Sequence, residues 1–363
     1  MRHKAVTIRD VAKRAGVGVS TVSYVINGHD NHVSSETRDL ILEAARELNY
    51  RPNAIARSMV KRKTATIGLI ITELQNALFI PVTAGVEAVL QPEKYHILLA
   101  SARDVSSEIN AIETMRAQQV DGFIIMSLSL RFPEAHLLQL QEAGIPFVVI
   151  NRDLENDAIN QIRLDEYGAG RMATQHLLDL GHSRIAIITG PLDENPNVRR
   201  RSAIGRYQGW RSILEENSLP ISDAWIVDGQ YTFDGGYQAA RYLATLFQDG
   251  SDAPTACLIS GDMMAMGALK GFHDAGVNVP KNMAVITIGD PPFAAYTIPA
   301  LTTLVLPIYE AGQIAARLVV ESLKAEKPID PQRIILKPQL QIRESCGARG
   351  KEMTADQYTK GGT

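Results

Sequence analysis

A short helix is predicted to begin near residue 19, and its first turns carry small hydroxyl and apolar side chains. These residues are Val19, Ser20, Thr21, Ser23 and Tyr24, in a segment that is otherwise basic. Hydroxyl groups can hydrogen-bond base edges or phosphate oxygens, and a valine can contact a thymine methyl group. The first turn of a helix also presents backbone N–H groups to an anion. An ordinary polar helix face is the alternative interpretation, and the surrounding elements bear on the choice.

The sequence before this segment predicts a helix-turn-helix unit. Thr7 and Asp10 begin a first helix in an arrangement close to a capping box, and Gly16 permits the left-handed turn that ends it. The second helix of such a unit presents its first residues to the major groove of DNA. Four apolar residues are expected to form the seam between the two helices: Val11, Val17, Val22 and Ile26.

A third helix is predicted in SSETRDLILEAARELNY. Ser34 or Ser35 is its expected N-cap. Leu40, Ala44 and Leu48 would lie on one face and close a small core. The three predicted helices make a polar face on the second helix the less favoured interpretation.

Charge is unevenly distributed along the chain. Residues 1–63, which we call the head, contain twelve Lys or Arg and six Asp or Glu, whereas the net charge of all 363 residues is -3. The remainder, which we call the body, is therefore acidic. This distribution suits a protein whose head alone contacts a polyanion. Basic residues that neutralise phosphates release their counterions, and this release favours binding. A solvated charged surface is the alternative.

The compartment is predicted from cysteine use and apolar runs. Cys257 and Cys346 are too few for a disulfide framework, and Cys257 lies in the apolar run TACLIS, where a buried thiol is expected. The first residues lack the apolar region of a secretory signal, and no apolar run reaches the length of a membrane span. We expect a cytoplasmic, nucleoid-associated protein without a membrane partner.

In the body, apolar runs alternate with amphipathic stretches. This pattern predicts strand–helix units in doubly wound sheets, with ligand crevices at the carboxyl ends of the strands. Seven runs are predicted as buried parallel strands: TIGLIIT, HILLAS, VDGFIIM, IPFVVIN, SRIAIITG, TACLIS and MAVITIG.

The motifs of common enzymes are missing from the sequence. There is no Walker phosphate loop, no GxGxxG after a strand and no GxSxG nucleophile elbow, so neither catalysis nor a cofactor is expected. His176 and His182 lack the Cys or carboxylate partners of a metal site, so no metal is expected. Asp262 heads the run DMMAMGAL and is interpreted as a helix N-cap.

The head resembles the lactose-repressor and galactose-repressor (LacI/GalR) family of bacterial transcription regulators in TIRDVAKRAGVGVSTVSYVIN and HVSSETRDLILEAARELNYRPNAIARSM. The resemblance continues in VDGFIIMS, HLLDLGHSRIAIITGPL, SGDMMAMGAL and YTIPALTTL. It implies a helix-turn-helix head, a hinge helix, and an α/β body of two doubly wound subdomains like those of periplasmic binding proteins. A small molecule would lie between the subdomains.

The resemblance also implies roles for residues of the head. Val19, Ser20 and Tyr24 are expected to contact the bases. Gly18 replaces a capping Ser of many relatives, so one contact to the DNA backbone is expected to be missing. The further residues expected to contact DNA are Thr7, Thr21, Ser23, Asn27, His32, Ser34, Thr37, Asn53 and Arg57.

The segment RPNAIARSMVKRK corresponds to the hinge helix of the family, with Asn53 as its N-cap. By the resemblance, this helix orders on DNA, pairs with its dimer mate and inserts an apolar wedge into the minor groove. Met59 occupies the wedge position, and such a side chain can kink a base step. A linker with an incidental Met is the alternative.

The residues expected to bind the effector are Asn76, Phe79, Arg206, Tyr231 and Asp290. Arg206 matches an Arg that hydrogen-bonds effector hydroxyls or carboxylates in relatives. Gly289 aligns with the usual ligand Asp, and Gly261 with an Asn of several relatives. A loop in residues 193–205 contains Arg199–Arg201, which are either solvated or supply a cation to an anionic effector.

The expected function is a sequence-specific transcription regulator, a repressor, that binds a pseudo-palindromic operator as a homodimer and is controlled by a sugar or sugar derivative. An activator and a solute-binding protein with the same body are the alternatives. The expected boundaries are 1–51 for the DNA-binding domain, 52–63 for the hinge, 64–164 plus 295–325 for the N-terminal subdomain, 165–294 plus 326–345 for the C-terminal subdomain, and 346–363 for a disordered tail.

Overall fold

A computed structural model of the chain describes residues 6–27, 33–51, 63–72, 74, 79–126, 135–152, 154, 156–192, 201–247 and 253–348. The chain divides into two compact units, Met1–Thr64 and Ala65–Thr363, which correspond to the head and the body. No helix in the described part of the chain is long and apolar enough to cross a membrane.

Three helices pack together in the head: α1 (Ile8–Ala15), α2 (Val19–Ile26) and α3 (Ser35–Glu47). The predicted seam is confirmed, since Val11 and Val22 are buried and Val17 and Ile26 pack against them. The predicted core position of Leu40 is wrong: this side chain is 56% exposed. The helix is rotated so that the next residue, Ile41, enters the core with Ala44, Ala45, Val25 and Ala12, while Leu48 is partly buried.

The predicted caps of the head are also confirmed. The Asp10 carboxylate accepts hydrogen bonds from the backbone N–H and the hydroxyl of Thr7, at 2.8 and 2.7 Å. Gly16 ends α1 with a φ of +68°. Of the two candidates for the α3 cap, Ser34 takes the position, and its hydroxyl accepts from the Thr37 N–H at 3.3 Å. These contacts define the start and the end of α1 and the start of α3.

The described strands of the body are β1 (Thr66–Ile71), β2 (His96–Ser101), β3 (Gly122–Met126), β4 (Phe147–Ile150), β5 (Asn160–Leu164), β6 (Ile185–Thr189), β7 (Ile226–Asp228), β8 (Ala256–Ile259), β9 (Ala284–Ile288), β10 (Thr302–Val305), β11 (Arg333–Leu336) and β12 (Gln339–Gln341). They form two six-stranded sheets, ordered β11-β5-β4-β3-β1-β2 and β12-β10-β9-β8-β6-β7. All pairings are parallel except β10 with β12.

The described helices of the body are α4 (Phe79–Leu90), α5 (Val105–Ala117), α6 (Ala135–Glu142), α7 (Glu166–Asp179), α8 (Arg201–Glu216), α9 (Phe233–Thr245), α10 (Asp262–Asp274) and α11 (Ile308–Lys324). Short 3-10 helices span Asp223–Trp225 and Pro292–Tyr296. The seven predicted strands are present as β1 to β4, β6, β8 and β9, but the predicted burial of β2 is wrong, because it is an edge strand with no buried residue. The central strands β3, β4, β6, β8 and β9 are buried at every residue, as strands covered on both faces must be.

The last third of the chain differs from the expected boundaries. Strand β10 was expected in the first subdomain, but it pairs with β9 in the second sheet. Strand β11 was expected in the second subdomain, but it pairs with β5 in the first sheet. The ordered body also extends past residue 345, because Cys346 and Ala348 are buried. The pairings, which sequence alone does not give, decide where each segment belongs.

Candidate nucleic-acid interface and ligand site

The first residues of α2 lie on the surface of the head. Tyr24 is 57% exposed, and Val19 and Ser20 are also exposed. Gly18 is the N-cap and offers no side-chain oxygen to the first N–H groups of the helix. Those N–H groups are therefore open to an outside acceptor such as a phosphate. Val22 and Val25 are buried on the opposite face and hold the helix in place.

Of the other head residues expected to contact DNA, most of those that the structure describes already make hydrogen bonds within the head. The Asn27 amide donates to the Ser23 carbonyl at 2.7 Å, and the hydroxyls of Ser34 and Thr37 lie 2.9 Å apart. Thr21 is partly buried on α2. These contacts shape the head, and DNA contacts of the same residues remain predictions. Four of the expected residues lie outside the described part of the chain: His32, Asn53, Arg57 and Met59.

In the body, a buried ion pair lies near the carboxyl ends of the strands. Arg206 of α8 donates from Nε to Glu166 Oε2 at 2.7 Å, and from Nη1 to the carbonyl of Ser260 at 2.6 Å. Arg206 is 5% exposed, and Glu166, the first residue of α7, is also buried. Burial alone would lower the pKa of Arg206, but the Glu166 carboxylate outweighs it and the pKa lies above its ordinary value. Arg206 is thus charged and its charge is balanced.

Tyr231 forms a wall beside this ion pair. Its ring lies against Gly190 and Gly261: an added Cβ would come within 1.9 Å of the ring at Gly190 and 3.1 Å at Gly261. Only glycine fits such a close approach at Gly190. The Tyr231 hydroxyl lies 3.0 Å from the hydroxyl of Ser202 on α8. The ring is therefore held between two strand ends with its hydroxyl directed to α8.

Three buried polar atoms at strand ends have no hydrogen-bond partner in the described structure. They are Asn151 Oδ1 after β4, Thr189 Oγ1 at the end of β6, and Ser260 Oγ after β8. Folded proteins pair nearly all such atoms, so unpaired ones at the carboxyl ends of strands indicate an additional partner. Asn151 also lies beside the ion pair, because its Nδ2 is 3.5 Å from Glu166 Oε1.

Asp262 belongs to the same region, and its predicted role as an N-cap is wrong. Gly261 is the N-cap of α10 and Asp262 is the first helical residue. Its Oδ1 accepts from the N–H of Met263 at 2.8 Å. Burial raises the pKa of Asp262, although the Met263 N–H and the Arg206 charge act in the opposite direction. We call these residues the strand-end cluster: Asn151, Glu166, Thr189, Ser202, Arg206, Tyr231, Ser260 and Asp262.

The structure brings Arg206 and Tyr231 into this cluster but places two other expected effector residues elsewhere. Asp290 accepts hydrogen bonds from the Arg343 guanidinium at 2.8 Å and the Thr303 hydroxyl at 2.9 Å. Phe79 is buried in the hydrophobic core of the body. Asn76 lies outside the described residues, as do Arg199 and Arg200. Effector contacts of these residues remain predictions.

The two histidines considered as metal ligands make ordinary polar contacts. His176 Nε2 lies 3.4 Å from Cys346 Sγ, and His182 Nδ1 lies 3.0 Å from the Thr255 hydroxyl. Within the described ranges, no three His, Cys, Asp or Glu side chains group as metal ligands would.

The helix-turn-helix head and the two-sheet body with a polar cluster at its strand ends define a DNA-binding regulator with a ligand-binding body. Residues 7–53 match the family described as bacterial regulatory proteins, lacI family, and residues 174–346 match the periplasmic binding protein-like domain. The chain belongs to the LacI family of transcription regulators. Members of this family are not enzymes, so the prediction of a non-enzymatic protein is confirmed.

Three known proteins illustrate the similarity. The chain is 33% identical to catabolite control protein A of Priestia megaterium, over 94% of this chain and 99% of that protein. The lac repressor dimer bound to operator and the anti-inducer ONPF has a TM-score of 0.80 at 26% identity, covering 94% and 99%. The complex of the transcriptional regulator CelR with cellobiose has a TM-score of 0.67 at 31% identity, also covering 94% and 99%.

Several residues of the strand-end cluster were not predicted as site residues. Asn151 directly follows β4, yet nothing in its local sequence distinguishes it from the residues that follow the other strands. Glu166 and Ser202 become significant only through tertiary contacts with Arg206 and Tyr231. A signal for Asp262 was present. Only two residues separate it from the end of an apolar strand, and side chains at such positions lie at the binding edge of a parallel sheet.

Proposed function

We propose that this LacI-family regulator is a repressor whose homodimer binds a pseudo-palindromic operator through α2, and that a sugar or sugar derivative bound at the strand-end cluster controls this binding. The observation that carries the proposal is the exposed start of α2, where open N–H groups adjoin Val19, Ser20 and Tyr24. We place its action in the cytoplasm, where operator DNA lies.

Three considerations support the individual parts of the proposal. A solved relative is a dimer on its operator, and another holds cellobiose. The strand-end cluster offers a buried guanidinium and open hydroxyl and amide oxygens, which suit a ligand with several hydroxyl groups. Tyr296 and Ile298 are 85% and 97% exposed in the single chain, as apolar residues of a dimer interface would be.

The first test is a binding-site selection on random duplexes, repeated in the presence of a panel of sugars. We expect a two-fold symmetric site, and we expect at least one sugar to change the affinity for that site. A selected site without symmetry contradicts dimeric operator binding. An affinity that no sugar changes contradicts the proposed effector class.

A second test separates base reading from positioning. Val19→Ala, Ser20→Ala and Tyr24→Ala together are expected to change the selected half-site, because contacts to base edges specify sequence. Met59→Ala is the matched control: it is expected to weaken binding without changing the preferred bases of the outer half-sites. If the triple variant selects the wild-type sequence, α2 is not the reading helix.

A further inference from the structure

Asp262 presents an unused acceptor at the strand-end cluster. One carboxylate oxygen accepts from Met263, and no described residue donates to the other. Asp262 is only partly buried, so this second oxygen can be reached from outside the protein. The nearest balancing charge, Arg206, already donates to Glu166. The second oxygen is therefore open to a ligand group that donates a hydrogen bond.

The space beside Asp262 is left open by a glycine. Gly289 follows β9, and a Cβ built there would lie 3.5 Å from the Asp262 Cβ and 3.6 Å from its Cγ. Since Gly289 has no side chain, nothing from the end of β9 covers this flank of the carboxylate. The next residue, Asp290, bonds to Arg343 and Thr303 instead. The arrangement leaves room for a ligand group next to Asp262.

The charges and hydrogen-bonding groups of the cluster restrict what that ligand can be. Arg206 and Glu166 neutralise each other, so an ionised Asp262 gives the described cluster one net negative charge. Asp262 and Asn151 Oδ1 can only accept hydrogen bonds, while the hydroxyls of Thr189 and Ser260 can donate or accept. The carboxylate or phosphate group of an anionic ligand would be repelled by Asp262 and could not donate to these acceptors. Alcohol groups pair with every member of the set.

We propose that Asp262 is a ligand-binding and specificity-determining residue that accepts hydrogen bonds from ligand hydroxyls, and that the effector is a neutral polyhydroxyl compound and not a carboxylate or a phosphate ester. This inference rests on the proposed effector control and narrows its ligand class.

The proposal predicts that one substitution of Asp262 raises the stability of the free protein and lowers its affinity for the ligand. Because burial raises the pKa of Asp262, ionisation of this carboxyl costs folding stability as the pH rises through that pKa. Asn has nearly the same shape, can accept from Met263 in the same way, and does not ionise. Asp262→Asn is thus expected to raise the melting temperature of the free protein at pH 7 while lowering its affinity for a neutral sugar about ten- to hundred-fold.

The experiment is calorimetric titration of the full chain with matched pairs that differ in charge: glucose and glucuronate, galactose and galacturonate, ribose and ribose 5-phosphate, with cellobiose as a further neutral compound. Wild type, Asp262→Asn and the control Asp274→Asn are compared. Asp274 lies at the other end of α10 and pairs with Lys270 on the surface. The control is expected to keep wild-type affinity and to show no gain in melting temperature.

A pH series adds a readout that a purely structural role would not change. Arg206, Glu166 and Tyr231 are the charged or titratable groups described around Asp262. We expect the affinity of wild type for a neutral sugar to fall as the pH is lowered toward the raised pKa of Asp262, and the affinity of Asp262→Asn to stay level there.

The outcomes separate this inference from the proposed function. Tighter binding of the acidic member of a pair, equal affinity in Asp262→Asn, or no binding of any neutral compound would overturn the inference. If an acidic compound binds and also changes operator affinity, effector control stands and the ligand class proposed here fails. If operator selection itself fails, the proposed function fails independently of these titrations.

Discussion

The ion pair of Arg206 and Glu166 must serve both stability and ligand binding. Each side chain is buried, so removing one leaves the other charge in a poor environment without its partner. A ligand could hydrogen-bond to the part of the Arg206 guanidinium that does not already donate to Glu166 or Ser260. An effect of an Arg206 variant on effector binding must therefore be separated from its effect on folding.

The residue-scale prediction uses a double-mutant cycle. The single variants are Arg206→Met and Glu166→Gln, and Arg206→Met alone is expected to lower the free energy of unfolding by about 3–5 kcal/mol, because Glu166 is left buried and unpaired. Arg206→Met combined with Glu166→Gln should lose much less stability, since no charge remains. Both variants that lack Arg206 should lose about one to two decades of effector affinity, and operator binding without effector should persist below the melting temperature.

Urea unfolding, calorimetry with the effector and operator binding are the three measurements of this cycle. Unchanged effector affinity in the double variant would remove Arg206 from the ligand site. An additive loss of stability in the double variant would show that the two side chains do not interact as their 2.7 Å contact indicates.

A second cluster of buried charged side chains connects helices α5 and α6 to the end of β4 in the first sheet. Glu108 of α5 lies 2.6 Å from His136 Nε2 of α6 and accepts from Arg152 Nη2, which follows β4, at 2.5 Å. Arg152 directly follows Asn151, and Gln161 of β5 donates to its carbonyl. The backbone next to the strand-end cluster is therefore fixed by contacts to two helices and a neighbouring strand.

The element-scale prediction concerns stability at acid pH. Burial would raise the pKa of Glu108, but the hydrogen bonds from His136 and Arg152 and the charge of Arg152 outweigh it, so the pKa lies below its ordinary value of 4.5. A lowered carboxyl pKa contributes stability above the unfolded value, and this stability is lost as the pH falls through the folded value. We expect wild type to lose stability below about pH 4.5.

Glu108→Gln tests this link by urea unfolding over a pH series. At neutral pH this substitution should lower the free energy of unfolding by about 3–5 kcal/mol, because Arg152 loses its buried partner. The stability of the variant should also depend less on pH in the acid range. Glu215→Gln, in an exposed ion pair with Arg211, is the control and should change little. Equal pH dependence of Glu108→Gln and wild type would contradict the role of this cluster.

Sequence patterns predicted the strands that form strong apolar runs and missed β5, β7, β10, β11 and β12. The apolar runs of β1, β3, β4, β6, β8 and β9 identify buried strands because central parallel strands are covered on both faces, whereas β2 lies at a sheet edge and none of its residues is buried. Strands β7 and β12 have three residues each and lie at sheet edges, where exposure weakens the pattern. Leu40 was misplaced because the rotation of α3 depends on which neighbours it packs against. The ligand site was predicted only at Arg206 and Tyr231, since the other members meet through tertiary contacts.

The dimer proposal is tested at the scale of the whole molecule. Ile298→Asp and Tyr296→Asp are expected to give a monomer by light scattering, because a charge at the centre of an apolar interface opposes association. Operator affinity should fall with the loss of the dimer, while effector affinity is retained. Tyr242→Asp, on the exposed face of α9, is the control and should leave the dimer intact. A stable dimer in the Ile298 and Tyr296 variants would place the interface elsewhere.

The order of segments along the chain also matters during protein synthesis. Helix α11 packs its Ala311 and Ala315 into the core that contains Val82 and Val86 of α4, and β11 completes the edge of the first sheet next to β5. Both elements emerge from the ribosome after all of β6 to β10. The half of the body that is translated first is therefore finished among the last, and its apolar α4 face stays uncovered in the nascent chain while more than 200 residues are added. Premature termination before α11 would leave the apolar face of α4 uncovered, so we expect such truncated products to be bound by chaperones and degraded by proteases.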